Sequence, residues 1–123
     1  LGNQLNPQVR GRRFEQFIIT QILAHIHYSR LDRQLYYWRT NHGAEIDLLI
    51  CQGNRILCAI EIKSSAFSGR ERLEGLRSFR KDYPQVPCFV LDMHKRERIL
   101  DNAVTAMYWK QFFNEEFLKI GRE

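Results

Sequence analysis

The sequence predicts a mixed α/β (α+β) domain, ordered helix, three strands, helix, strand and closing helix, with a central mixed sheet flanked by helices. Three observations carry this expectation. Apolar residues recur at three- and four-residue spacing near residues 12–28 and 73–83, and again at the C-terminus. Between the first two stretches lie three runs rich in β-branched and aromatic residues, broken by Asn41-His42-Gly43 and Gln52-Gly53-Asn54. A short apolar run, Cys88 to Leu91, follows Pro87. With 123 residues, 44% of them hydrophobic, the chain is expected to be a single domain, 1–123, with one core.

Each element has its own justification. In Arg12 to Tyr28, Phe14, Phe17, Ile18, Ile22 and Ile26 form an apolar stripe with no Pro or Gly inside it. Leu35 to Thr40 is dense in aromatic residues and stops at a turn cluster, as a strand does. Glu45 to Cys51 and Arg55 to Lys63 read as the two arms of a hairpin. Leu73, Leu76 and Phe79 define a helix that ends before Pro84. Trp109, Phe112, Phe113, Phe117 and Ile120 fall at helical spacing and give the closing helix a large aromatic face.

Composition narrows the function. No window approaches about 18 consecutive apolar residues, so neither a membrane span nor a membrane partner is expected. No signal peptide opens the chain, which starts at Leu1 rather than Met; the expectation is a piece of something longer. Cys51, Cys58 and Cys88 are odd in number, far from any Cys-x-x-Cys spacing, and sit in apolar stretches. They read as small core residues in a reducing cytoplasm, not as a disulfide framework or a zinc site. A net charge of +5 leans toward a polyanion partner.

The chemistry lies in the expected hairpin. Period two puts Glu45, Asp47 and Leu49 on one side of the first arm, and Ile46, Leu48 and Ile50 on the other. In the second arm Leu57, Ala59, Glu61 and Lys63 share a side, opposite Ile56, Cys58, Ile60 and Ile62. A two-residue turn at Gly53-Asn54 would oppose Asp47 to Ile60. A three-residue loop, or a bulge of the same parity, opposes Asp47 to Glu61 and Glu45 to Lys63, and keeps both apolar sides consistent. On that register Asp47, Glu61 and Lys63 converge. Facing carboxylates repel, and a lysine with a divalent cation such as Mg²⁺ would compensate them. Such a metal activates water and stabilises charge on a phosphodiester. Glu15, on the helical stripe with Ile18, Ile19, Ile22 and Ile26, points toward the sheet as a fourth carboxylate. It is equally a favourable anion in a helix first turn.

At these residues the sequence resembles the PD-(D/E)XK nuclease superfamily, with Asp47 as the lone Asp and Glu61-Ile62-Lys63 as (D/E)-x-K. Gly11 to Glu15, Tyr37 to Thr40, Gly43 to Asp47 and Glu61 to Ser65 are similar to a narrower group. That group is the C-terminal nuclease-like domain, of unknown function, of prokaryotic AAA-type ATPases. The resemblance implies a restriction-endonuclease-like core and a Mg²⁺ or Mn²⁺ site. The cation would be held by Asp47, Glu61 and the main-chain carbonyl of Ile62, with Glu15 acting through water and Lys63 catalytic. It also implies an upstream ATPase portion and a nucleic acid substrate, DNA being the expected one. Two departures stand out. Ile46 replaces the Pro before the motif Asp, and Phe79 precedes Tyr83 where exonuclease-like relatives carry Gln.

Arg70, Arg72, Arg77, Arg80, Lys81, Lys95, Arg96 and Arg98, with Arg10, Arg12 and Arg13, are candidates for phosphate contact that positions without reading sequence. Interleaved Glu71, Glu74 and Asp82 make a plain solvated face the competing account. Two further readings stay open. One is a catalytically silent nucleic-acid- or protein-binding module of an AAA-type ATPase, docking through the aromatic face from Trp109 to Phe117. The other is a junction nuclease working as a homodimer.

Overall fold

The computed structural model describes residues 13–40, 42–63, 73–93, 95, 98–99 and 104–122. A six-stranded mixed sheet runs through its middle, with helices packed on both faces. Helix α1 (Arg13–Tyr28) leads into β1 (Gln34–Arg39), β2 (Glu45–Gln52) and β3 (Arg55–Ile62). Then come α2 (Glu74–Asp82), β4 (Cys88–Asp92), β5 (Arg98–Ile99) and β6 (Val104–Tyr108). A closing helical segment starts as α3 (Trp109–Gln111), widens into a π-helical turn (Phe112–Glu116) and tightens into a 3₁₀ turn (Phe117–Lys119). The strand order is β1-β2-β3-β4-β6-β5. β1, β2 and β3 form an antiparallel meander, β3, β4 and β6 run parallel, and β5 closes antiparallel on β6. The parallel step from β3 to β4 needs a crossover, which α2 provides.

Each face of the sheet has its own core. On one face Ile18, Ile19 and Ile22 of α1 pack with Phe112, Phe113 and Phe117 against Leu48, Ile50, Cys58, Ile60 and Leu91. On the other, Leu76 and Phe79 of α2 pack against Ile46, Leu49, Ala59, Val90 and Ala106. The parallel strands, covered on both sides, are apolar through their middle (Leu57 to Ile60, Cys88 to Leu91), as buried parallel sheet requires, and carry charge only toward their ends. The aromatic residues of the closing segment are therefore core: Phe112, Phe113 and Phe117 are buried, and Trp109 stands edge-on to Phe17 at 5.1 Å. The docking surface considered for them is spent on packing. All three cysteines are buried and unbridged, and burial pushes the Cys51 thiol up to about 11.

Strict alternation does not hold along the hairpin. Between Tyr36↔Leu49 and Trp38↔Ile46, β2 carries one residue more than β1, so Asp47 and Leu48 together oppose Tyr37. This bulge turns Ile46 out of phase, and it joins Leu49 in the α2-side core rather than Leu48 in the other. A second bulge lies at Leu57, between Ile50↔Cys58 and Cys51↔Ile56. It sends Ile56 to the α2 side and Leu57 to the α1 side, the reverse of the expectation. Two strands, β5 and β6, were not expected. β5 is only two residues long, and β6 runs into the aromatic helical segment with no Gly or Pro between them.

Gly75 is where α2 meets β2 most closely: a Cβ there would overlap the main-chain carbonyl of Glu45. At the far side of the sheet Asp92, fully buried at the end of β4, receives the Arg98 guanidinium at 2.6 Å. This pair pins the two-residue β5 to the sheet. Removing one partner leaves the other charge poorly compensated, so Arg98→Ala is expected to cost about 3–5 kcal/mol, read as a lower denaturant midpoint. Asp92→Asn with Arg98→Ala should recover part of that loss.

Candidate metal and phosphate site

Strands β2 and β3 part company at their charged ends. Their shared ladder stops at Leu48↔Ile60; beyond it β2 stays with β1 to Arg39↔Glu45, and β3 stays with β4 to Ile62↔Leu91. Where the strands separate, backbone amides that would have paired need other acceptors. Two carboxylates supply them, each across the gap. The Asp47 amide donates to Glu61 Oε1 at 3.1 Å, and the Ile62 amide donates to Asp47 Oδ2 at 2.8 Å. Asp47 and Glu61 are thus brought together as the register argument required. The means is a two-residue turn, with Gln52↔Arg55 as the last pair, plus the Leu57 bulge, instead of a three-residue loop.

Lys63, just past the end of β3, has its amide on the Leu91 carbonyl at 2.9 Å and its Nζ 4.0 Å from Glu61 Oε2. Glu15 is 4% exposed in the first turn of α1. Its charge is felt at Glu61, as the weakest of the influences on that carboxyl. Among the described residues, however, no three His, Cys, Asp or Glu side chains are grouped to hold a metal ion. Glu15 therefore does not join Asp47 and Glu61 in a three-carboxylate cage. Glu45 is the other residue that does not converge. It is exposed, ion-paired with Arg39 at 3.2 Å, and the parting of the strands separates it from Lys63.

The electrostatics follow from burial. The Glu61 carboxyl is pushed up to about 8, first by desolvation, then by the facing Asp47. The Asp47 amide and Lys63 act in the opposite direction, and Glu15 adds a smaller upward push. Ionised together, these carboxylates would carry more negative charge than the single lysine offsets, and Glu61 answers by holding its proton. That donor set suits Mg²⁺ or Mn²⁺, which take one or two carboxylates and fill the remaining positions with water and phosphate oxygens.

Of the cations expected to contact phosphate, Arg13, Arg77 and Lys81 are exposed on the two helices, and Lys95 is exposed in the later connection. Arg80 is occupied by the Val86 and Pro84 carbonyls, and Arg98 by Asp92. Those two assignments give way to structural roles. Arg10, Arg12, Arg70, Arg72 and Arg96 lie outside the described residues. Composition and periodicity gave no hint of Arg39 and Tyr37 as neighbours of the site; only the β1–β2 pairing reveals them. A surface groove lined by Leu23, His27, Arg30 and Asp32 lies at the other end of α1 from Glu15.

These features define a mixed α/β domain with a carboxylate pair and a lysine where two strands of its sheet diverge. The family model described as "Domain of unknown function (DUF4143)" matches residues 10–112, and the chain belongs to that family. It is a domain found in general at the C-terminus of AAA-type ATPase proteins. No curated protein and no solved structure matches the chain. No described helix is long and apolar enough to cross a membrane.

The raised Glu61 carboxyl carries a sign. Its folded value lies above the ordinary 4.5, so the contribution to stability is full below pH 4.5 and lost as pH rises toward about 8. Metal-free protein should lose on the order of a few kcal/mol across that window. Denaturant midpoints taken through it should fall for the wild type and stay nearly level for Glu61→Gln.

Proposed function

We propose that this domain is a divalent-cation-dependent phosphodiesterase of PD-(D/E)XK type, with a restriction-endonuclease-like core, acting on DNA. The observation that carries the reading is the pair of buried Asp47 and half-buried Glu61, locked across the parted strands with Lys63 4.0 Å from Glu61. Carboxylates held apart from solvent against their mutual repulsion are costly. A cation and its phosphate ligand are what such an arrangement serves.

Asp47 and Glu61 would hold Mg²⁺ or Mn²⁺, together with the main-chain carbonyl of Ile62. The bound cation would supply Lewis acidity to the attacking water and charge to the phosphoryl oxygens. Reciprocal bonds to the strand amides fix both carboxylates in advance, so little reorganisation is needed when substrate arrives. Glu15 reinforces the negative field from the α1 side. Lys63 Nζ neutralises charge developing on the phosphoryl group as the bond to the leaving oxygen breaks. The exposed Arg13, Arg77 and Lys81 would steer the polyanion without reading its sequence. An ATPase portion of the same chain is the partner this reading expects.

The test is a cleavage assay on supercoiled, linear and single-stranded DNA with Mn²⁺ or Mg²⁺. Asp47→Ala, Glu61→Gln and Lys63→Ala should each lower the rate about a hundredfold or more. Mn²⁺ should also raise the melting temperature of the wild type, by preferential binding to the folded state, and leave Glu61→Gln unmoved. Equal cutting by wild type and Glu61→Gln, together with equal Mn²⁺ response, would sink the reading.

A further inference from the structure

Beside the site, on β1, stands a planar cation that neither the fold nor the proposed chemistry has used. The Arg39 guanidinium lies over the Tyr37 ring, 5.6 Å from its centroid, and its Nη2 donates to Glu45 Oε2 at 3.2 Å. Its side chain is nonetheless 59% exposed. The ring beneath and the carboxylate at its edge limit the orientations of the fork, while much of the guanidinium remains in water. Exposed ion pairs add little to stability, so folding alone gives slight reason to hold an arginine this way.

Its position is set by the backbone. The bulge in β2 places Tyr37 opposite Asp47 and Leu48, and Arg39 pairs with Glu45, two residues from Asp47. Two strand residues span about 7 Å. A base close to a phosphate held at the carboxylate pair would therefore reach the guanidinium.

We propose that Arg39 is a base-stacking contact, backed by Tyr37, that gives the site a preference for unpaired nucleic acid, either single-stranded or frayed at an end. The proposal rests on the phosphodiesterase reading and deepens it by naming the substrate form. Guanidinium planes accept nucleobases face-on, and every base has such a face, so the contact tolerates any sequence. In a closed duplex those faces are covered by neighbouring base pairs, so stacking on Arg39 requires a base released from its helix.

The measurement is fluorescence anisotropy in chelator, where cation-dependent cleavage is switched off. The probes are a labelled oligo(dT) strand, the same strand with abasic residues, and a closed hairpin duplex. Wild type should bind oligo(dT) about tenfold more tightly than the abasic strand, the size of one base stack. Arg39→Lys keeps the charge and loses the plane. It should lose that tenfold on oligo(dT), with unchanged affinity for the other probes and an unchanged denaturant midpoint. An equal drop on all three probes would make Arg39 a phosphate contact, and no change on any, or no wild-type binding, would also overturn the proposal. Wild type that binds oligo(dT) with the predicted Arg39→Lys loss and yet cleaves nothing would sink the phosphodiesterase reading alone. Cleavage that persists with no stacking loss would sink only this one.

Discussion

Everything at the functional end of this domain depends on how β2 and β3 separate. An antiparallel hairpin has no intrinsic reason to open, because each pair lost leaves an amide and a carbonyl without partners. Here each strand is claimed by another neighbour, β2 by β1 and β3 by β4, and the two can diverge only because carboxylates accept the orphaned amides. Asp47 and Glu61 are therefore structural and electrostatic at once. The same bonds that complete the backbone also hold two carboxyl groups face to face.

The surrounding architecture maintains that arrangement. Helix α2 sits against β2 through Gly75, whose missing side chain lets the helix backbone approach the Glu45 carbonyl. Helix α1 brings a buried carboxylate to the same neighbourhood and is itself anchored by the aromatic closing segment, where Phe112 packs edge-on to Phe89 at 5.3 Å. The Asp92–Arg98 pair ends the strand next to β3 with a compensated charge. Lys63 is then the cation that stands beside Glu61.

Much of this was legible in the residues themselves. The helical stripe from Phe14 to Ile26, the three-strand meander and the crossover helix each follow from apolar spacing and turn residues, and the structure has them. The pairing parity that brings Asp47 to Glu61 was legible too, because only one parity puts Cys58, Ile60 and Ile62 in the same core as Leu48 and Ile50. The bulges were not. An extra residue leaves no compositional trace where apolar residues follow one another, as in Leu48 to Cys51 and Ile56 to Ile60, so the sides of Ile46, Ile56 and Leu57 were misassigned. β6 escaped because Val104 to Tyr108 merges into an aromatic segment of helical spacing. The ion pair of Arg98 was hidden because a basic run looks the same whether its members face water or a buried carboxylate.

The bulge at Leu57 has a consequence for how such a hairpin can vary over time. It acts as a one-residue frame shift, set by the length of the chain between the turn and Cys58 and not by the chemistry of the side chain. Exchanges among apolar residues there preserve the frame. Loss of one residue there would erase the bulge and leave Cys58 opposite Ile50, with Ile60, Glu61 and Ile62 on their present sides. Gain of one, unless absorbed in the turn or a wider bulge, would exchange those sides and take Glu61 away from Asp47. The hairpin is forgiving of spelling, and it bears a shorter count better than a longer one.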